Sequence, residues 1–255
     1  MTSGSRLAGA TVCLLVVAGV LLPRAASAQS REWIGNGFVN LNGGFQSGDR
    51  IFADALDAPL YDEFAEYTND YASSGGRLVD ITGGVRVWRG LAGAFGVTIA
   101  NSTSSVAVTG SVPHPLFFDT PRTTALQRAD LTHRQIGFHF QAVYVIPVTE
   151  AIDIAVFGGP SVFRVEQDFV TGVTLGPELD PFDTVALTAV ATQASQETGI
   201  GINVGADVSY MFTEFLGAGG FFRYTSGSVD FTTTAGVQSI DAGGAQVGGG
   251  LRVRF

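Results

Sequence analysis

From Ala242 to Phe255 the chain alternates. Phe255, Val253, Leu251, Gly249, Val247 and Ala245 are apolar or glycine. Arg254, Arg252, Gly250, Gly248, Gln246 and Gly244, between them, are charged, polar or glycine. A period of two is the mark of a strand with one greasy and one wet face. The same period recurs upstream. A first strand over Trp33 to Gln46 sets Trp33, Val39, Leu41 and Phe45 against Asn36, Asn40, Asn42 and Gln46. Asparagines on one face are costly in an apolar core and suit a hydrated lumen. A second strand, Arg77 to Trp88, turns Val79, Ile81, Val85 and Val87 one way and Asp80, Thr82 and Arg86 the other. A tight turn at Arg89-Gly90 leads to a third, Leu91 to Asn101, with Leu91, Phe95, Val97 and Ile99 on its apolar face.

The fourth strand, Thr132 to Ile146, opposes Ile136, Phe138, Phe140, Ala142, Tyr144 and Ile146 to Gln135, His139 and Gln141. The fifth, Ala151 to Val165, puts Ile152, Ile154, Val156 and Val162 outward, which leaves Phe157 and Phe163 inward. The sixth, Glu197 to Phe212, alternates Ile202, Val204, Ala206, Val208, Tyr210 and Phe212 with Asn203, Asp207 and Ser209. The seventh, Leu216 to Ser228, carries Leu216, Phe222 and Tyr224 outward and Arg223 inward. With the closing strand this makes eight, joined by three short turns and by longer segments over 47–76, 102–130, 166–196 and 229–241.

Tyr61, Tyr67 and Tyr71 share parity, so a second hairpin could lie within 47–76; the stretch is read as strand extensions around 58–72 or as a polar loop above a membrane. In the second long segment Pro113 and Pro115 bracket His114 and forbid regular ladder pairing there. The apolar tip Leu116-Phe117-Phe118 is expected to pack on the loop's own residues. Short turns at one end and long loops at the other are the asymmetry of an outer-membrane barrel, with its turns in the periplasm and its loops outside. The fold expected is therefore all-β: an eight-stranded antiparallel up-and-down transmembrane β-barrel. An even count closes the ring and removes edge groups that lipid cannot satisfy. Trp33, Trp88, Tyr144, Tyr210, Phe212 and Phe255 lie at the turn ends, as an aromatic girdle requires.

Composition agrees with this pattern. Hydrophobic residues make up 45% of the chain, yet past the amino-terminus no run approaches the ~18 apolar residues of a spanning helix. Residues 1–28 read as a secretory signal peptide: Arg6, an apolar run from Leu7 to Leu22, and the small-x-small site Ala26-Ser27-Ala28. The domain is then 29–255. Cys13 is the only cysteine and falls in the signal, so the mature chain has no disulfide or thiolate chemistry. Lysine is absent, and twelve mature arginines face 23 acids, a net charge of −11. That balance argues against nucleic acid as a partner.

The signal, the eight alternating strands and the ending Gly249-Gly250-Leu251-Arg252-Val253-Arg254-Phe255 resemble the bacterial outer-membrane β-barrel family of the OmpA/OmpX type. The resemblance spans the mature chain. It implies export to the Gram-negative cell outer membrane and contact with outer-membrane lipid and lipopolysaccharide. It also implies handling by periplasmic chaperones and recognition by the barrel-assembly machinery through Leu251, Val253 and Phe255. The chain stops at the eighth strand, so no peptidoglycan-binding domain is expected to follow. The resemblance carries no activity with it, because barrels of one shape serve many roles.

The inward set is Asp80, Arg86, His139, Gln141, Asn203, Asp207, Arg223, Gln246 and Arg252. Acids and arginines in such a space should pair. An eight-stranded interior is just wide enough for side chains to fill. The primary expectation is a structural or surface-interaction protein whose polar lumen is held shut. The alternative is a small diffusion pore for ions or small solutes. A soluble ligand-binding barrel would need an apolar interior, which this set denies it. An outer-membrane enzyme acting on lipid needs a nucleophile, a base and an orienting group. Only His114, His133 and His139 offer a base, and neither a G-x-S-x-G elbow nor an H-E-x-x-H site occurs. No catalytic residue, metal or cofactor is expected. The extracellular partner is left open. The acids of 47–76 and 166–196 are expected to form a solvated surface, or to hold divalent cations between each other or lipopolysaccharide phosphates.

Overall fold

The computed structural model describes residues 35–48, 50–233 and 236–255. The expected signal peptide, Trp33 and Asp49 lie outside them. The described chain forms ten antiparallel strands. They are β1 (Gly37–Gln46), β2 (Arg50–Leu60), β3 (Glu63–Ser73), β4 (Gly76–Trp88), β5 (Leu91–Val112), β6 (Arg122–Pro147), β7 (Ile152–Leu175), β8 (Leu187–Met211), β9 (Leu216–Thr233) and β10 (Gly236–Arg254).

Eight of them close a ring in the order β1-β4-β5-β6-β7-β8-β9-β10. The last strand returns to the first through nine rungs, from Phe38↔Arg254 to Gln46↔Gln246. Past that ladder, Asn36 N and Gly37 N donate to Phe255 O at 2.7 and 2.8 Å. Closure pairs backbone groups that a hydrocarbon layer would leave unsatisfied.

Side chains follow the period of two. Val79, Ile81, Val85 and Val87 of β4 are exposed, as are Phe140, Tyr144 and Ile146 of β6, and Ile202, Val204, Val208 and Tyr210 of β8. Asp80, Gln141, Asn203 and Asp207, between them, are buried. An apolar exterior around a polar interior inverts a soluble protein and defines a transmembrane barrel. Trp88, Tyr144, Tyr210, Phe212 and Phe255 ring the turn end, exposed. Phe157 is half-buried and Phe163 buried, so the fifth strand keeps its expected parity.

The far end departs from the loops expected there. Residues 47–76 are chiefly the hairpin β2–β3, paired from Arg50↔Ser73 to Leu60↔Glu63. This hairpin is not one of the eight ring strands; it continues above β4, joining the upper half of β5 between Glu66↔Ser111 and Ser73↔Ser104. The segments 102–130, 166–196 and 229–241 are mostly extensions of ring strands. β5 continues to Val112, β6 starts at Arg122, β7 runs to Leu175, β8 starts at Leu187, and β9 and β10 meet past Thr233. The cause is again alternation. Ala65, Tyr67 and Tyr71 of β3 and Val106, Val108 and Val112 of β5 are buried, whereas Glu66, Asp70, Ser105 and Thr109 alternate with them toward solvent.

These buried faces build a second core above the apolar belt. It adds Leu131, Phe169, Val190, Val229, Phe231 and Ile240. Phe52 stacks on Tyr71 at 4.6 Å, and Phe169 packs against Phe52, Tyr71 and Phe231 at 6.1, 5.9 and 5.2 Å. Tyr71 OH accepts from Val170 N at 2.8 Å. Each such side chain contributes roughly 1.5–3 kcal/mol on full burial. That is enough to fold these strands over the barrel mouth instead of leaving loops in water.

Candidate functional site

The polar side chains inside the ring form one connected network. Asp80 on β4 accepts from Asn42 Nδ2 at 3.0 Å, Thr82 Oγ1 at 3.2 Å, Thr98 Oγ1 at 2.8 Å and Arg223 Nη2 at 2.8 Å. Arg223, on β9, also donates through Nε to Gln246 Oε1 at 2.7 Å. Gln246 donates to Gln46 Oε1 at 2.7 Å, and Gln46 to Gly243 O at 2.9 Å. A second ion pair is forked: Arg252 Nε and Nη2 reach Asp207 Oδ1 and Oδ2 at 3.1 and 2.5 Å. Arg252 Nη1 donates to Asn42 Oδ1 at 2.6 Å. The Asn42 amide therefore joins the two ion pairs, accepting on one side and donating on the other.

From Thr98 the network continues across the lumen. His139 Nε2 lies 3.2 Å from Thr98 Oγ1, and His139 Nδ1 lies 2.8 Å from Ser161 Oγ. Asn203 Nδ2 donates to Ser161 Oγ and to Gly159 O at 2.9 and 3.0 Å, and Gln141 donates to Asn203 Oδ1 at 2.9 Å. Every ring strand supplies at least one member. Among the described residues, the buried side-chain atoms without a hydrogen-bond partner are Glu63 Oε2, Asn69 Oδ1, Ser104 Oγ and Arg122 Nε, none of them in this network. Satisfied groups in a poorly polarisable interior hold one another in place. Their geometry also depends on Gly219, over which Arg252 crosses from β10 to β8. A Cβ there would stand 2.8 Å from Arg252 Nε and 2.5 Å from Val208 O.

Of the nine expected lumen residues, Asp80, His139, Gln141, Asn203, Asp207, Arg223, Gln246 and Arg252 meet in this network. Arg86 does not belong to its centre. It sits beside the turn at the end of β4, half-buried, with Nη2 3.4 Å from Asn36 Oδ1. Parity gave its face, but its height is that of the rim. Asn42, Gln46, Thr82 and Ser209, on the polar faces of their strands, and Thr98 and Ser161, which parity also turns inward, complete the network. Leu251 and Phe255 are exposed on the outer face and Val253 is half-buried there.

Space on either side is small. Toward the turn end, Phe38, Val143, Phe157 and Phe221 enclose a cavity of about 50 Å³, and Arg254 pairs with Asp153 at 2.5 Å on its lining. A water needs ~10–15 Å³ of such space, so this cavity suits a few waters. Above the network a cavity of about 10 Å³ lies among Gln46, Gln135, Arg50 and His133.

That upper site is a second closure. His133, expected near the strand's outer end, is buried there, three residues above Ile136 of the belt. Arg50 Nη1 lies 2.8 Å from His133 Nε2, and Arg50 Nη2 donates to Gly243 O. Guanidinium only donates, so Nε2 accepts and the ring proton sits on Nδ1. That proton is donated to Gln167 Oε1 at 2.7 Å. Burial, with the Arg50 cation beside it, holds His133 down to about 4. Arg50 thus ties the foot of β2 to β6 and β10.

Ser161 and His139 stand at a distance suited to nucleophile and base, but at 1% and 0% exposure no substrate reaches them. His114 is buried and accepts from Leu116 N at 3.1 Å through Nδ1. Among the described residues no three His, Cys, Asp or Glu side chains come together as a metal site. The cation bridging expected of the acids thus finds no preformed cage among them.

A closed ring, an apolar belt and an interior filled by paired charges place the chain in the class of small transmembrane β-barrels. No family model matches it, and no curated protein matches it. Solved structures resemble it more distantly. Neisserial surface protein A is 16% identical, over 86% of this chain and 97% of that one, with a TM-score of 0.42. The outer membrane protein OprG from Pseudomonas aeruginosa is 12% identical, over 90% and 99%, with a TM-score of 0.42. Ail, the attachment invasion locus protein of Yersinia pestis, solved with the heparin analogue sucrose octasulfate, is 8% identical, over 85% and 99%, with a TM-score of 0.35. At such scores the likenesses carry no argument about what this chain does or binds.

Proposed function

We propose that the chain is exported by its amino-terminal signal and works in the cell outer membrane as a sealed barrel. Its role is structural or interactive and is exercised at the far, strand-extended end, which faces outward. The observation that carries this reading is the single hydrogen-bonded network to which all eight ring strands contribute. A pore needs a water-filled path, and here two ion pairs, the Arg50–His133 site and an apolar cap stand in series along the axis. The belt meets outer-membrane lipid and lipopolysaccharide. Leu251, Val253 and Phe255 offer the barrel-assembly machinery an alternate apolar row at the closing strand, after passage with periplasmic chaperones.

Location and orientation are tested with one cysteine. The mature chain has none, so Phe118→Cys creates a unique label site at the tip. A membrane-impermeant maleimide should label it on intact cells, while a cysteine at Glu214 in a short turn should label only after lysis. Labelling at Glu214 alone on intact cells contradicts the orientation. Labelling of neither, after lysis of a membrane fraction that holds the protein, contradicts the placement of both ends in water.

A further inference from the structure

The apolar tip of the segment Pro113–Pro121 stays largely exposed, although Phe117 touches His114 of the same segment. Leu116, Phe117 and Phe118, with Leu179 from the β7–β8 turn and Phe64 beside the β2–β3 turn, are each between 61% and 76% exposed. Singly exposed apolar residues are ordinary, but a cluster of this size outside a membrane marks an interaction site.

The three turns are held together by contacts of their own. Arg122, buried, donates through Nη1 to Glu178 Oε2 at 2.9 Å and to Phe182 O at 3.0 Å, and through Nη2 to Pro113 O at 2.6 Å. Tyr61 OH donates to Glu178 Oε1 at 3.1 Å, and Asp119 N to Glu63 Oε1 at 3.1 Å. Phe117 rests on the buried His114 ring at 4.9 Å. Tyr61, Asp62, Asp119 and Phe182 have φ of 55°, 61°, 55° and 68°. Aspartates tolerate such angles in turns, but Tyr61 and Phe182 take them only where the surroundings fix them. The apolar tip is thus presented in one arrangement.

What it can meet is limited by height and charge. From Asn101, at the edge of the belt, to Val112 is eleven strand residues, or ~36 Å along the strand and roughly 25–30 Å above the belt at ordinary barrel tilt. The chain's own bilayer is out of reach. The segments 60–64, 113–121 and 176–186 contain Asp62, Glu63, Asp119, Glu178, Asp180 and Asp183; Arg122 neutralises Glu178, and the other five acids leave the rim net negative. An acidic rim repels a second copy, anionic polysaccharide and anionic membranes, and attracts cations.

Resting on the surface-interaction reading above, we infer that this tip is a docking site for a basic polypeptide, which inserts apolar side chains among Phe117, Phe118 and Leu179 while its cations meet the rim.

The test uses the full mature protein in discs of zwitterionic lipid, overlaid on arrayed peptides in which Arg/Lys and Phe/Leu content vary independently, with empty discs subtracted. Binding is expected only where both classes are high. It should fall about tenfold or more in F117S/F118S and in L179S, as for anchors at an interface centre, and should weaken with salt and in D119N/D180N/D183N. Leu179 holds its turn through the backbone, Phe182 N donating to Leu179 O at 2.8 Å, while its side chain is exposed, so L179S reads docking and not folding. A blank array, a preference for acidic peptides, competition by a sulfated polysaccharide with intact tip binding, or unchanged affinity in both apolar variants overturns the inference. A blank array with Phe118→Cys still labelled on cells removes the docking site and leaves the surface reading standing.

Discussion

Replacing Asp80 by Asn tests the network where it is densest. The Asp80 carboxylate is 2% exposed and accepts from four side chains, one of them the Arg223 guanidinium, itself 1% exposed. Asp80→Asn keeps the shape but removes the charge, and its amide NH₂ turns a donor toward Arg223 and Thr98 if the remaining oxygen keeps Asn42. Arg223 then keeps Gln246 and Thr98 but has no counter-ion. Breaking one partner from a buried ion pair costs ~3–5 kcal/mol, because the remaining charge is buried alone. At about 1.4 kcal/mol per decade this shifts the unfolding equilibrium by two to three and a half decades. The assay is reversible urea unfolding in phospholipid bilayers, followed by fluorescence and by the heat-dependent gel shift of folded barrels. The cycle is completed with Arg223→Met and D80N/R223M. The double variant removes both charges, so it should cost less than the two singles together, with a coupling energy of roughly 2–3 kcal/mol. If Asp80→Asn costs under about 1 kcal/mol, or the costs add, the pair does not carry the lumen as argued.

Gly219→Ala puts a Cβ against Val208 O and Arg252 Nε, and should cost ~1–3 kcal/mol in the same assay. Gly43→Ala, where a Cβ meets nothing within 4 Å, should stay within about 0.5 kcal/mol; equal effects would remove the steric argument. His133 has a folded value of about 4, below the ordinary 6.5. Its contribution is therefore complete above pH 6.5 and lost as pH falls toward 4, on the order of 3 kcal/mol in all. Imidazole NMR should show an Nδ1–H tautomer still neutral at pH 5, and hydrogen exchange in β2 should rise between pH 6 and 4, a step absent in His133→Gln; titration near 6.5 refutes the site. Arg122→Met frees Glu178, Phe182 O and Pro113 O at once, so limited proteolysis within 176–186 should accelerate while the heat-dependent gel shift persists. Unchanged cleavage means that Arg122 does not fasten the tip.

The membrane-spanning fold was legible because lipid imposes one rule at every second position. Val79 to Val87 and Ile202 to Phe212 follow it without exception of face. The same parity put Asp80, Asp207, Arg223 and Arg252 inside. Parity fixes a face and not a height, which is why Arg86 was grouped with residues from which its depth separates it. Nor could it say that Arg223 meets Asp80 while Arg252 meets Asp207, since those pairings depend on the stagger of strands distant in the chain. Above the belt the rule persists in weaker form. Tyr67 and Tyr71 alternate with Glu66, Thr68 and Asp70, but among so many acids that parity leaves hairpin, strand extension and loop all open. The cap core is assembled from β2, β3 and every strand from β5 to β10 together, and none of these faces is apolar enough to announce itself alone. Leu116 to Phe118 misled for the opposite reason: they are apolar enough to suggest burial, yet the pins at Arg122, Glu63 and His114 hold them in water.

The most direct test of the sealed lumen is single-channel recording of the mature chain in a planar bilayer, after the gel shift confirms that it is folded. The account predicts silence from the native protein at neutral pH, because the paired charges, the Arg50–His133 site and the apolar cap block the axis in turn. Discrete, reproducible steps whose size changes in Arg223→Met would contradict it, since they require ions to pass where Arg223 and Asp80 are joined.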